Sequence, residues 1–280
     1  MVQEYHNVLW SGPIHERLKE HLHWSLEDWF RSKQGVALRI WNGGESDRAV
    51  RPFEQRLLDN GLLLRWINSL SRVLVNIQHY RHGGGLLIVP DESLAGLNIK
   101  YRLKYDRLLA ALIGLVQHRL GSAGTVADDF RAFHRSLDEH RSEVLGAVRF
   151  IASLASVDGV VLLRRNLGVR GFGVELRTNN PLSEIFLAGD ASGCPDLMRD
   201  GDLTHFGTRH RAMMRYCQEH DGTLGLVVSQ DGDIQAMTRI GERLVVWENI
   251  DVQLGFAAGE SLDAAQAEAP ILRRFIARAT

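Results

Sequence analysis

Cysteine is scarce: Cys194 and Cys217 are the two in 280 residues, with no C-x-x-C pair and no spaced Cys/His quartet. That disfavours both a disulfide scaffold and a structural zinc site, and it fits a reducing compartment. An excess of charge is missing too, since 33 Lys and Arg against 34 Asp and Glu leave a net charge of -1. This balance argues against a nucleic-acid coat protein or a polybasic membrane binder, while leaving room for a local basic pocket. The longest apolar run, Leu108 to Val116, is about half of what a bilayer span needs. Met1 to His6 shows no basic segment leading into an apolar stretch, so no secretory signal is expected. Together these readings predict a soluble cytoplasmic protein with no membrane or nucleic-acid partner.

Several catalytic signatures are also absent. Without a G-x-S-x-G elbow, His82-Gly83-Gly84-Gly85 has no hydrolase nucleophile to serve as an oxyanion loop. There is no P-loop, and Gly171-Phe172-Gly173 lacks the third glycine of a dinucleotide fingerprint. His15, His21 and His23 cluster without an H-E-x-x-H, and their spacing reads as a polar helix face.

What is present is a change of pattern along the chain. The first half reads mainly as helix: Leu18, Leu22, Leu26, Trp29 and Phe30 recur at helical spacing, ending near Gln34-Gly35. Val36 to Trp41 reads as a short strand, and a helical pattern runs from Pro52 to Ile77 with Gly61 as a possible break. Gly83-Gly84-Gly85 then feeds the buried-strand pattern Leu86 to Pro90, and further helices are expected over Tyr105 to Leu120 and from Phe130 to Leu154. The second half is strand-rich, with runs at Gly159–Leu163, Gly173–Leu176, Ser183–Ala188, Leu224–Ser229, Ile234–Ile240 and Leu244–Trp247, and a helix from Thr208 to His220. The expectation is an α/β protein. A mainly helical N-terminal α/β region (1–124) precedes a domain at 125–280 with a mixed sheet flanked by helices. The breaker Gly121-Ser122-Ala123-Gly124 marks the boundary.

Two segments carry chemistry. Gly207-Thr208-Arg209-His210-Arg211-Ala212 opens a predicted helix, whose unpaired N–H groups and positive dipole end suit phosphate oxygens. One hydroxyl and two guanidinium groups around an imidazole add donors, two of them forked. Asp158-Gly159 falls where a long helix hands over to a strand, placing a carboxylate where it could hold a divalent cation against a triphosphate and help deprotonate a hydroxyl. The glycine run at Gly83 reads first as a tight turn into a buried strand, and second as another phosphate-approaching surface.

In order and spacing these segments resemble the diadenylate cyclase (DisA N-terminal, DAC) family over roughly Val144 to Glu248. Its signature is Asp-Gly-Ala after a long helix, then Gly-Thr-Arg-His-Arg-Ala opening a helix, then a strand ending in Ser-Glu-Glu. Asp158-Gly159-Val160 matches the first with Val for Ala, Gly207 to Ala212 matches the second completely, and Ser229-Gln230-Asp231 matches the third loosely. The N-terminal half, through Gly83 to Pro90 and Lys100-Tyr101, resembles the DACNV-type branch, proposed to be nucleotide sensors.

The resemblance implies a mixed seven-stranded sheet, and the condensation of two ATP into cyclic di-AMP with release of pyrophosphate, using Mg²⁺ or Mn²⁺. It also implies a homodimer or higher homo-oligomer, because two sites must face each other. Carried over by position, Asp158, Arg209, His210 and Arg211 are the catalytic residues. Gly159, Gly207, Thr208 and Ser229 contact the nucleotide, and Asp158 with Asp231 hold the metal. Gln230 stands where the family has a carboxylate, and Asp231 is one methylene shorter than glutamate. Both departures favour an alternative, a DAC-like sensor that binds an adenine nucleotide or cyclic dinucleotide without turnover.

Overall fold

The computed structural model describes residues 5–6, 8–31, 61–90, 95–121, 130–178, 180–182 and 184–252. The strand expected at 36–41, the start of the helix expected at Pro52, and the boundary segment Ser122 to Gly124 lie outside these residues.

Five α-helices occur among the described residues: α1 (Gly12–Arg31), α2 (Leu62–Tyr80), α3 (Arg107–Gly121), α4 (Phe130–Leu154) and α5 (Thr208–Glu219). Gly61, at φ 81°, sits just outside α2 as its N-cap, so the helical pattern restarts there. A two-strand parallel pair joins β1 (Tyr5–His6) to β11 (Ile250–Asp251). The remaining strands are β2 (Gly84–Val89), β3 (Leu97–Tyr105), β4 (Val160–Arg164), β5 (Val169–Leu176), β6 (Ile185–Leu187), β7 (Arg199–Asp200), β8 (Leu224–Val228), β9 (Ile234–Ile240) and β10 (Arg243–Trp247). They form one mixed sheet in the order β3-β5-β4-β2-β8-β9-β10-β6-β7. This is the expected α/β architecture, with nine strands in place of the seven that the family resemblance implies.

Strands from both sides of the division expected at 124/125 pair with one another. β2 lies at the centre, parallel to β4 (Leu86 beside Val161) and antiparallel to β8 (Gly84 beside Val228). Its six residues are all buried, because a central strand covered on both faces is apolar throughout rather than alternating. β3 forms the outer edge against β5. The boundary at 124/125 therefore runs through the sheet.

Alternation along the strands divides the core into two layers. Leu86, Ile88, Val161, Leu163, Leu224 and Leu226 face the layer filled from α1 to α4, for example by Leu18, Leu70, Leu112 and Val148. Leu87, Val89, Val160, Leu162 and Val227 face a smaller layer filled by Met213, Met214, Tyr216 and Cys217 of α5. Each such buried aliphatic side chain contributes roughly 1.5–3 kcal/mol over leaving it in water. α5 is thus held to the sheet by its C-terminal two-thirds, which fixes where its N-terminus points. The histidine cluster corrects the sequence reading at one position. His21 sits on the Leu18/Leu22/Leu26 face of α1 and is buried, not on the polar face.

Candidate functional site

The site lies at one edge of the sheet, where the chain enters β2 and β4 and leaves β8. Because β2 and β4 are parallel and β8 runs against both, these three ends meet. Asp158-Gly159 leads into β4, Gly83 leads into β2, and Ser229-Gln230 follows β8. The first turn of α5 stands over them.

Gly159 is required by its geometry. Its φ is 108°, and a Cβ there would fall 2.7 Å from the carbonyl carbon of Gly173 and 2.9 Å from its Cα. The Asp158–Gly159 turn is therefore pressed onto the β5 backbone, with Asp158 Oδ1 accepting the Gly159 N–H at 2.9 Å. This turn presents the Asp158 side chain fully to solvent. Across the mouth, Arg209 Nη2 approaches Asp158 Oδ1 at 3.6 Å. The sequence-predicted carboxylate and one predicted guanidinium are thus brought together.

The N-terminus of α5 is open. Its N-cap is Gly207, which offers no side-chain cap, and the first intrahelical bond is from Arg211 N–H to the Gly207 carbonyl at 3.0 Å. The N–H groups of Thr208, Arg209 and His210 precede that bond and have no helical partner. With the positive end of the helix dipole, they form a ready anion cradle. Thr208 is exposed, whereas Arg209, His210 and Arg211 are half-buried. His210 carries a buried Nε2 with no hydrogen-bond partner among the described residues. Burial, and secondarily the Arg209 guanidinium, holds its pKa below the ordinary histidine value, so the ring is neutral and can donate or accept a single hydrogen bond.

The glycine run joins the site. Gly83 has φ 63°, and a Cβ there would lie 2.9 Å from the Val228 carbonyl, 3.2 Å from Gln230 N and 3.3 Å from Arg209 Nη1. The turn into β2 is tight, as expected, and it also abuts the arginine. Ser229 also closes its own turn: its Oγ accepts the Asp233 N–H at 3.0 Å, and its own N–H donates to the Asp233 carbonyl at 2.8 Å. That leaves the hydroxyl proton as the group it can offer a ligand. Asp231 is exposed in the same turn and makes no ion pair or side-chain hydrogen bond among the described residues.

No three His, Cys, Asp or Glu side chains converge as a ready-made cation site among the described residues. The donor chemistry at Asp158 still suits Mg²⁺ or Mn²⁺, which commonly take one or two carboxylates and complete their shell from water and substrate phosphates. Recesses of about 250 Å³ and 480 Å³ lie elsewhere, and neither is lined by Asp158 or by the first turn of α5.

One residue near the site is named in the sequence reading only through the DACNV-type resemblance and is given no role there. Tyr101 on β3 is 41% exposed and stacks on Phe172 with ring centroids 4.9 Å apart. A Cβ on Gly173 would meet the Tyr101 ring at 3.1 Å and the Asp158 carbonyl oxygen at 3.5 Å. An aromatic face thus stands beside the Asp158 turn, with only glycine between them. The signal was the pairing of β3 with β5, which a sequence alone does not display.

No family model matches this chain, and no curated protein matches it. Among solved structures it is similar to a double mutant of DacA from Staphylococcus aureus. Identity is 14%, with 72% of this chain and 91% of that chain covered, at a TM-score of 0.34. It is also similar to a hypothetical membrane spanning protein from Bacillus cereus, at 13% identity, with 83% of this chain and 89% of that chain covered and a TM-score of 0.33. Scores this low assign neither a fold family nor an activity. Among the described residues, no helix is long and apolar enough to cross a membrane.

Proposed function

We propose that this site binds ATP and condenses two ATP molecules into cyclic di-AMP, with release of two pyrophosphates. The observation that carries the reading is a carboxylate, Asp158, 3.6 Å from Arg209 at the mouth of an uncapped helix N-terminus. The α5 N–H groups, the Thr208 hydroxyl and the Arg209 and Arg211 guanidiniums would hold the triphosphate and stabilise charge developing at the α-phosphate. In each attack the 3′-oxygen of one ribose forms a bond to the α-phosphorus of the other ATP. The bond to pyrophosphate breaks, and the 3′-hydroxyl proton passes to a base, for which Asp158 is the residue in place. Mg²⁺ or Mn²⁺, held by Asp158 with Asp231 as the nearest further acidic residue in the family pattern, would offset repulsion between the carboxylate and the triphosphate.

Reciprocal attack needs two nucleotides, and one chain supplies one site, so the working unit would be two copies face to face. Gln230 supports a second reading, in which the same site senses an adenine nucleotide without cyclising it. The two separate when purified protein is incubated with ATP and Mn²⁺ or Mg²⁺ and the products are chromatographed. Cyclic di-AMP with pyrophosphate supports the cyclase, bound but unchanged ATP supports the sensor, and absence of ATP binding defeats both.

A further inference from the structure

A recess of about 250 Å³ opens at the far end of β4 from Gly159. At roughly 3.3 Å per residue, its Arg164 lies about 17 Å along the strand from Gly159. Four cationic side chains line it from three adjacent strands: Arg102 and Lys104 on β3, Arg164 at the end of β4 and Arg170 near the start of β5. Among the described residues no carboxylate lines it. Like charges lining one recess repel one another, and an anion among them would relieve that repulsion.

Three of the four cations are also idle. Arg102, Lys104 and Arg170 make no side-chain hydrogen bond or ion pair among the described residues. Arg170 Nη1 is shut off from solvent with no acceptor, a costly state for a charged donor. Arginines elsewhere behave differently: Arg107 reaches Glu143 at 2.7 Å and Arg177 reaches Glu175 at 3.1 Å. Protection of an exposed sheet edge against pairing accounts for lysines on β3. It does not account for Arg164 and Arg170, which lie on inner strands.

We propose that this recess is a second anion site, separate from the Asp158–Arg209 mouth, which takes a small molecule bearing a di- or triphosphate. Forked guanidiniums from neighbouring strands match several phosphate oxygens at once. Ile99 and Leu103, both half-buried, line the same recess and give the uncharged part of the ligand an apolar surface. A long nucleic-acid strand fits less well, because the charge is gathered in a concavity and the whole chain carries a net charge of -1.

The test uses the full chain carrying Arg209→Ala and Arg211→Ala, which silences the first site, titrated calorimetrically with inorganic tripolyphosphate. One binding event per chain is expected to persist. Adding Arg102→Gln and Lys104→Gln should weaken it about tenfold or more, as should Arg170→Gln, with an unchanged circular dichroism spectrum. Arg102 and Lys104 are exposed, so that pair of substitutions keeps the test sound even if Arg170→Gln disturbs the fold. Absence of tripolyphosphate binding in the Arg209/Arg211 variant would overturn the proposal, as would undiminished binding after Arg102→Gln and Lys104→Gln. A single-stranded oligonucleotide or phosphatidylglycerol vesicles that bind through these residues and resist displacement by tripolyphosphate would also overturn it, in favour of a macromolecular or membrane partner.

Discussion

Arg209 Nη2 and Asp158 Oδ1 face each other at 3.6 Å across the mouth formed by β4 and α5. The pair is too exposed to matter much for stability. On the proposed function, its significance is that the guanidinium assigned to phosphate already has an anion to hold, and that an arriving triphosphate would have to draw it away.

Asp158→Asn therefore separates binding from chemistry. The substitution keeps the shape, removes the charge that repels phosphate and releases Arg209. ATP binding measured without divalent cation is expected to tighten. Cyclisation, if this is a cyclase, is expected to fall by about 10²–10⁴-fold from lost base assistance alone. Wild-type turnover in this variant, followed by product chromatography, would remove Asp158 from the mechanism.

Arg209→Ala with Arg211→Ala removes two charge-assisted donors from the helix mouth. Each such bond is worth about 1.5–3 kcal/mol, so losing both should lower ATP affinity on the order of 10²–10⁴-fold, with the melting temperature little changed. Calorimetry showing undiminished affinity in a folded double variant would place the triphosphate elsewhere.

Tyr101 is expected to supply a face for the adenine ring. Base–aromatic stacking is worth about 1–3 kcal/mol, so Tyr101→Ala should weaken ATP binding about tenfold, while Tyr101→Phe keeps it near normal. Equal losses in both variants would point to the hydroxyl instead of the ring.

Gly159→Ala tests the turn itself. At φ 108° with the Gly173 backbone 2.7 Å from the new methyl group, the variant must both strain its own backbone and push β5 away. Strain alone is worth about 1–3 kcal/mol. A fall of several degrees in thermal denaturation is expected, and an unchanged melting temperature would show that the turn relaxes freely.

The parts of this site that were legible in the sequence are those written in consecutive residues. Gly207 to Ala212 announces both a helix start and its donors, and the helix begins at Thr208 as expected. Asp158-Gly159 announces a turn before a strand, and β4 begins at Val160. What stayed hidden depends on register between distant segments. β3 alternates exposed Asn98, Lys100, Arg102 and Lys104 with half-buried Leu97, Ile99, Leu103 and Tyr105 and an exposed Tyr101, the pattern of an edge strand, which carries little apolar signal. Its pairing with β5 is what brings Tyr101 to the Asp158 turn. The motif frames Ser229 as a ligand contact, and it does not display that the Ser229 Oγ also accepts the Asp233 N–H in the turn between β8 and β9.

His21 predicts a pH dependence of stability. Burial, with smaller contributions from the Arg165 and Arg17 guanidiniums, lowers its pKa to about 3. The unfolded chain takes up this proton near the ordinary value of about 6.5, whereas the folded chain resists it. Stability is therefore full above that value and is lost as pH falls from about 6.5 towards 3, by about 1.4 kcal/mol per pH unit. Urea denaturation from pH 7 to pH 4 should show this slope, and His21→Leu should flatten it by about one proton. An identical slope in the variant would mean that other groups set the acid sensitivity.

The central place of β2 also has a consequence for how the protein is made. Gly84 of β2 pairs with Val228 of β8, about half the chain later. While the ribosome is still adding the residues between them, β2 can find β4 on one side only, and its other edge stays open. That edge is apolar and six residues long, the kind of surface that recruits other nascent chains. The sheet closes only when β8 emerges, so the protein's exposure to aggregation is set by the wait for one late strand.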